Sequence, residues 1–297
     1  GENGWHRQLI VTDGEARHAK AVTDPDDNAE APTFSPDGSQ VAYAVGIGDY
    51  ESAGPGGYAI WIVDVDGDEP RRITGPPNWG PDMGPAGSDQ EPDWSPARDD
   101  IAYAHYGRAP GPVTAGEANG IYVVTPAGGL PRRLTTPGFD EYDHRPMWSP
   151  DGGHVAFVRT HVPRALDGTR AGARLAGLWV VARDGSRPRL VAELPLGDEP
   201  MAWHPDGTSL WLGGRPSFTE NPGLPARSVD LATGEQAPLG PPLDAIAWSP
   251  GGAHRYTTAR EANPPGVWRI TATDEVAREF VPPRGLPLGR DLDLATC

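Results

Sequence analysis

A fourteen-residue unit recurs five times along this chain and constrains its fold more than any other feature. Each copy has an aromatic residue, Ser-Pro or His-Pro, a polar turn, and a short run that alternates apolar and polar residues. The copies are APTFSPDGSQVAYA (31–44), EPDWSPARDDIAYA (91–104), RPMWSPDGGHVAFV (145–158), PMAWHPDGTSLWLG (200–213) and DAIAWSPGGAHRYT (244–257). The alternation predicts β-hairpins, since proline presets the turn and Asp-Gly tolerates the positive φ that follows.

A second two-strand unit follows each copy, so each full repeat comprises four strands. These units are AIWIVDVDGDEPRRIT (59–74), GIYVVTPAGGLPRRLT (120–135), GLWVVARDGSRPRLVA (177–192), ARSVDLATGEQAPL (226–239) and GVWRITATDEVAREF (266–280). The aromatic anchors Phe34, Trp94, Trp148, Trp203 and Trp248 are 60, 54, 55 and 45 residues apart. Four-stranded units at about this period are typical of a β-propeller. We expect each anchor to wedge between neighbouring blades.

The chain ends supply material for one more blade. Segments 8–12 and 18–23 flank an Asp-Gly turn signal, and 287–297 holds a further short apolar alternation. The sequence therefore predicts an all-β, single-domain, six-bladed β-propeller of four-stranded antiparallel blades over 1–297. Its last blade, shared by 5–24 and 287–297, would remove an open sheet edge. The other predicted blades are 31–74, 91–136, 145–193, 199–240 and 244–283.

The repeated Trp-Ser-Pro-Asp-Gly turn, with Ile-Trp-Ile-Val and Arg-Arg-Ile-Thr downstream, resembles the TolB-type, WD-like six-bladed propeller family over residues 5–280. The resemblance implies a periplasmic or secreted protein that binds a protein partner. The family's separate N-terminal α/β domain has no counterpart in this sequence, so its scaffold role with a peptidoglycan-associated lipoprotein is not carried over. The repeat also resembles the propeller half of prolyl-oligopeptidase-like enzymes, but the sequence contains no G-x-S-x-G nucleophile elbow.

Composition excludes several classes of function. The formal net charge is −16 and the pI about 4.8, which opposes binding to a nucleic-acid backbone. Cys297 is the only cysteine, so neither an intramolecular disulfide nor a thiolate zinc cluster can form. No run of about 18 apolar residues predicts a membrane span. No signal peptide is visible, and we expect a monomer.

The predicted loops divide by length between the two faces of the ring. The turns within hairpins are short, whereas the connections between second and third strands and between blades are long. The long segments are 46–58, 75–90, 107–119, 161–176 and 214–225. Long loops on a rigid scaffold commonly carry binding residues, so function is predicted on the long-loop face.

Polar residues at the start of each innermost strand, or at the end of the second strand, would ring the channel mouth on that face. The first group is Glu30, Gln90, Glu91, Asp143, His144, Arg145, Glu199 and Asp244; the second is His105, Tyr106, Arg159, His161, Arg215 and Arg260. We predict ligand-binding roles for Glu30, Glu91, Arg145, His161, Glu199 and Asp244. If the protein is an enzyme, His144 and Asp143 are the predicted catalytic pair. Alternatively, these groups pair with one another around a water-filled channel.

Two functions follow from this placement. The first is a binding module that recognises a protein partner or a small polar ligand on the long-loop face. The alternative is an enzyme, a lyase or hydrolase of a small or sugar-like substrate, at the channel mouth. No cofactor is predicted, although carboxylates there could hold Ca²⁺. The loop aromatics Tyr50, Tyr58 and Trp79 would either contact a ligand or cover their own blade.

Overall fold

A computed structural model shows an all-β chain with no α-helix among the residues it describes. These are 8–12, 19–24, 27–47, 57–67, 70–74, 87–107, 119–163, 172, 174–195, 201–213, 225–240, 245–248, 254–259, 266–271 and 276–280. The chain divides into two compact units, one of 1–9 with 22–195 and one of 10–21 with 196–297. The predicted N-terminal hairpin is present in the second unit, where β1 (Ile10–Thr12) pairs antiparallel with β2 (Ala19–Ala21).

The first unit contains three four-stranded antiparallel sheets, each in simple up-and-down order. The first sheet is β3 (Ala29–Phe34), β4 (Gln40–Ile47), β5 (Gly57–Asp64) and β6 (Arg71–Arg72). The second is β7 (Ser88–Trp94), β8 (Ile101–Tyr106), β9 (Gly120–Val124) and β10 (Arg132–Arg133). The third is β11 (Glu141–Trp148), β12 (His154–His161), β13 (Leu175–Ala182) and β14 (Arg189–Leu194).

The second unit holds two more sheets of the same order. The fourth sheet is β15 (Met201–Trp203), β16 (Ser209–Leu212), β17 (Ala226–Asp230) and β18 (Gln236–Gly240). The fifth is β19 (Ala245–Trp248), β20 (His254–Ala259), β21 (Gly266–Thr271) and β22 (Val276–Phe280). Each of the five repeats thus forms the predicted four-stranded antiparallel sheet. Residues 287–297, predicted to share the last blade, lie outside the described part of the chain.

The strand ends agree with the predicted long loops to within three residues, and the loop 107–119 lies between β8 and β9 as predicted. β7 begins at Ser88 rather than near the second copy at 91, and β12 continues to His161. The connections before β7 and after β12 are therefore slightly shorter than predicted. The polar residues expected at a channel mouth lie within paired strands, where neighbouring backbones fix their position.

Two of the three aromatic anchors of the first unit, Trp94 and Trp148, are buried between sheets as predicted, whereas Phe34 is only partly buried. Trp94 packs with Ala42 and Ile60 of the first sheet in one core cluster. Trp148 packs with Ala102 of the second sheet in the next cluster. Large-area burial of this kind is the main stabilising contribution of an indole.

The Ser-Pro-Asp-Gly turn is held by its own side chains. The Ser35 hydroxyl donates to Asp37 Oδ1 (2.6 Å), and the Ser39 amide donates to the same oxygen (3.0 Å). Gly38 has φ +69°, a value that glycine adopts without steric cost. The hydroxyl and amide bonds lower the pKa of Asp37 to about 2. The structural role predicted for this motif is confirmed.

The Arg-Arg-Leu-Thr segment also has a structural role. The Ile121 amide donates to Thr135 Oγ1 (2.8 Å), which satisfies a buried backbone group of β9. Arg132 Nη2 donates to the Arg183 carbonyl in the next sheet (2.9 Å). The segment therefore holds the outer strand β10 against β9 and links it to the third sheet.

Candidate binding face

The first strands begin and the second strands end at one edge of the sheets in the first unit, and we call this edge the long-loop end. Six of the predicted site residues are described: His161 ends β12 at this edge, Glu30 and Asp143 lie near the start of their strands, and Glu91, His144 and Arg145 lie further along, at the mid-strand irregularities. Glu199 and Asp244 lie outside the described residues, as do Arg215, Arg260, Tyr50 and Trp79. Tyr58 is described and packs against the core cluster around Trp94.

A β-bulge interrupts the first strand of each sheet in the first unit. Ala31, Glu91 and Arg145 have φ of 51°, 54° and 53°, and the pairing register shifts at each. Non-glycine residues rarely adopt this conformation, and here a proline follows each one. Bulges re-aim side chains within a sheet. The signal for them in the sequence is the proline two positions before each of these anchors.

Glu91 joins the second sheet to the bulge of the third. The Arg145 amide donates to Glu91 Oε2 (2.7 Å), and Arg145 Nε lies 3.8 Å from Oε1. Both side chains are partly exposed. Two of the predicted ligand-binding residues, Glu91 and Arg145, therefore contact each other. This is what the alternative of mutually paired charges predicts.

Asp143 is fully buried and bonded to Arg159. Its Oδ1 accepts from Nε (2.6 Å) and its Oδ2 from Nη2 (2.8 Å), while the guanidinium lies 4.8 Å from the Trp179 ring centre. Burial disfavours the Arg159 cation, but the hydrogen bonds and charge of Asp143 outweigh it and raise its pKa. Such a bidentate pair fixes both groups.

His144 points away from this pair. Consecutive strand residues face opposite sides of a sheet, so His144 and Asp143 do not share a face. His144 Nε2 lies 2.9 Å from the Thr160 hydroxyl. The catalytic role assigned to this histidine and carboxylate stays a prediction.

A row of three paired residues crosses the long-loop end of the third sheet, and an exposed apolar side chain lies near it. Glu141, His161 and Leu175 are in register on adjacent strands. Leu175 is 63% exposed, and Phe139, two residues before Glu141, is 61% exposed. The Gly138 amide donates to Glu141 Oε2 (2.7 Å), which fixes the position of that carboxylate.

A second histidine at this end has a carboxylate partner. His105 Nδ1 lies 2.6 Å from Asp89 Oδ1, and the imidazole meets the Tyr122 ring edge-on at 5.1 Å. His105 was among the predicted mouth residues, whereas Asp89 was not. The sequence contained no signal for Asp89, because its position opposite His105 follows from the strand register.

Sequence reasoning also missed Asp93, which lies directly before an anchor. The Trp148 amide of the next sheet donates to Asp93 Oδ2 (2.6 Å). Burial raises the pKa of this half-buried carboxyl from 3.8 to about 7, with the Trp148 bond opposing the shift. The first sheet has Thr33 at this position, and its hydroxyl accepts from the Trp94 amide (3.1 Å). A signal was therefore present, because one copy has a carboxylate where the others have uncharged residues.

Metal binding at the channel mouth is not decided by these residues. Among the described residues, no group of three or more His, Cys, Asp or Glu side chains has a metal-binding arrangement. Calcium at the mouth stays a prediction. No helix in the described part of the chain is long and apolar enough to cross a membrane.

At the opposite end of the sheets, a groove of about 380 Å³ lies between the second and third sheets. Asp100 and Arg183 line it and form an ion pair, with Nε 3.0 Å from Oδ2. Leu130 lines it as well and is fully exposed. Because its opposite charges neutralise each other, the groove offers less to a charged ligand than the long-loop end.

Comparison with solved structures identifies the fold. TolB from Acinetobacter baumannii superposes with a TM-score of 0.59 and 18% identity over 89% of this chain, which spans 57% of the TolB chain. The chain has the fold of the TolB-like β-propellers. A nidogen–laminin complex gives a TM-score of 0.58 at 16% identity, covering 93% of this chain and 90% of that one. Oligogalacturonate lyase in complex with manganese gives 0.58 at 13%, covering 90% and 72%.

At these identities, the likeness to TolB and the other propellers concerns the fold alone. No protein-family model matches the sequence, and no curated protein matches it. Because one of these neighbours is a protein complex and another is a lyase, the fold is compatible with either a binding module or an enzyme. The choice between the two depends on the residues of the long-loop end.

Proposed function

We propose that this chain is a protein-binding module that contacts its partner through the long-loop end of the third sheet. The observation that carries the proposal is the pair of large apolar side chains, Phe139 and Leu175, each more than 60% exposed beside the row that contains His161. Exposed apolar groups next to polar ones are typical of binding surfaces. The nidogen–laminin structure, a complex of two proteins, includes a chain of this fold.

The proposal also includes a closed ring of six blades and an extracytoplasmic location for the protein. Five four-stranded sheets and an N-terminal hairpin support six blades, and the TolB-like fold supports an extracytoplasmic site of action. The acidic surface expected from a net charge of −16 is compatible with a soluble binding module that does not bind nucleic acid.

The test compares two surface variants in a quantitative pull-down from an envelope extract of the source organism. Phe139→Ser with Leu175→Ser changes the proposed surface, and Leu130→Ser is the control because Leu130 is fully exposed at the other end. We expect proteins captured by the wild type to be lost with the double variant and retained with the control. Capture that is equal for all three proteins, or none by the wild type, contradicts the proposal.

The second candidate function is enzymatic, and a specific observation favours it. Asp89 and His105 form a carboxylate–imidazole pair at the same end of the neighbouring sheet. Oligogalacturonate lyase is an enzyme of this fold by its name. A small or sugar-like substrate would carry hydroxyl groups that such a pair can engage.

A further inference from the structure

The carboxylate–imidazole pair of the second sheet is more enclosed than a surface ion pair. The Asp89 side chain is 8% exposed and the His105 side chain 21%, with 2.6 Å between Oδ1 and Nδ1. Tyr122 packs against the imidazole, and its own ring stacks with Tyr103 at 6.0 Å. The histidine is therefore held in a defined orientation.

The fold does not require this pair. Ala29 and Val45 occupy the same paired position in the first sheet, and Asp143 and Arg159 occupy it in the third. Both alternatives are accommodated by the same strand geometry. The histidine therefore adds something that neither an apolar pair nor a permanent cation provides, namely a nitrogen that takes up and releases a proton.

Asp89 determines which nitrogen that is. A carboxylate oxygen only accepts hydrogen bonds, so the neutral imidazole carries its proton on Nδ1 and presents a lone pair on Nε2. No described residue makes a hydrogen bond to Nε2 of His105.

Gly87 packs against the Cε1–Nε2 edge of the imidazole, and the His105 side chain remains 21% exposed. A Cβ at this position would lie 2.4 Å from Cε1 of His105 and 3.0 Å from Nε2. The Gly87 backbone is outside the left-handed region, so glycine is needed here for space rather than for conformation. A larger residue at position 87 would therefore displace the imidazole.

We propose that Asp89 and His105 form a proton-accepting site for a hydroxyl-bearing small ligand at the boundary of the first and second sheets. The ligand's O–H bond breaks, the proton bonds to Nε2, and the electron pair stays on the ligand oxygen. Asp89 stabilises the resulting imidazolium. This site specifies the residues of the enzymatic candidate above and is independent of the surface around Phe139.

Water and p-nitrophenyl acetate serve as the probe. Nε2 takes a proton from water, the water oxygen bonds to the acetyl carbon, and p-nitrophenolate leaves with the electron pair of the broken ester bond. We expect His105→Gln to abolish the protein-dependent hydrolysis and Asp89→Asn to lower it by about tenfold or more. His204→Gln is the matched control, since His204 Nδ1 also lies near a carboxylate, 2.9 Å from Asp206 Oδ1.

Nitrogen NMR of the wild-type protein provides a readout that requires no variant to fold. We expect the neutral His105 imidazole to carry its proton on Nδ1. A proton on Nε2, an unchanged rate in Asp89→Asn, or equal losses in the His105 and His204 variants overturns the proposal. Each result is separate from the pull-down, which does not involve this pair.

Discussion

At the scale of the residue, one departure from the repeat leaves a buried hydroxyl without a partner. Ser95 Oγ is buried and makes no hydrogen bond within the described part of the chain. In the neighbouring copy, the equivalent Ser149 hydroxyl donates to Asp151 Oδ1. The second copy has Ala97 at the aspartate position, so the acceptor is missing. An unsatisfied buried polar group destabilises a fold.

Ala97→Asp should restore that acceptor. We expect the free energy of unfolding to rise by about 1 kcal/mol, because the buried Ser95 hydroxyl gains a hydrogen bond. Urea unfolding at pH 7 measures the change. Asp151→Ala is the matched control, since it creates the same defect in the next copy and should destabilise by a similar amount. No gain in Ala97→Asp would show that Ser95 is satisfied in another way.

Asp93 should make stability depend on pH in the neutral range. Its folded pKa of about 7 lies above its ordinary value of 3.8, so the folded state binds this proton more tightly than the unfolded chain does. The associated stability is complete below about pH 4 and is lost as pH rises through 7. We expect Asp93→Asn, whose amide oxygen still accepts from Trp148, to be more stable than the wild type at pH 8 and to lose that advantage at pH 4.5.

Urea unfolding of both proteins between pH 4.5 and 8 tests this expectation, with Thr33→Val as the control. That variant removes the equivalent bond of the first sheet without removing a charge. Its difference from the wild type should therefore be the same at every pH. A constant difference for Asp93→Asn would mean that Asp93 titrates normally.

At the scale of the element, strand pairing fixes which two positions face each other but not which residue types occupy them. The position occupied by Asp143 and Arg159 in the third sheet is filled by Ala29 and Val45 in the first. A buried ion pair frequently contributes no more than well-packed apolar residues of similar volume, whereas removal of one partner leaves an uncompensated charge.

The two arrangements should be exchangeable as pairs but not singly. We expect Arg159→Val alone to cost about 3–5 kcal/mol, because it leaves the fully buried Asp143 carboxylate without its partner. The double variant Asp143→Ala with Arg159→Val copies the first sheet and should recover most of that loss. Thermal and urea unfolding of the three proteins measures the coupling. Additive losses in the double variant would contradict this account of the pair.

The elements could be predicted from the sequence because their signals are local. Strand alternation, Asp-Gly turns and the period of the anchors are all contained in short segments, and the hairpins, sheets and buried Trp94 and Trp148 are confirmed. The candidate site is less local. The contact between Glu91 and Arg145 and the partner of Asp143 depend on register within and between sheets, and the sequence does not state that register.

At the scale of the whole molecule, tight turns in both compact units contain an aspartate with a lowered pKa. Turn aspartates accept hydrogen bonds from nearby hydroxyl and amide groups, which lowers their pKa values. They are Asp37, Asp151, Asp184, Asp206 and Asp230. The Asp37 value of about 2 lies below its ordinary 3.8, so the folded state favours the ionised form.

This shared shift predicts cooperative acid destabilisation. A lowered folded pKa contributes stability that is present above about pH 4 and is lost as pH falls towards 2. We expect the urea midpoint to fall steeply over that interval, and we expect Asp37→Asn with Asp151→Asn to flatten the decline while lowering the midpoint at pH 7. A decline equally steep in the double variant would show that acid acts through groups other than the turn aspartates.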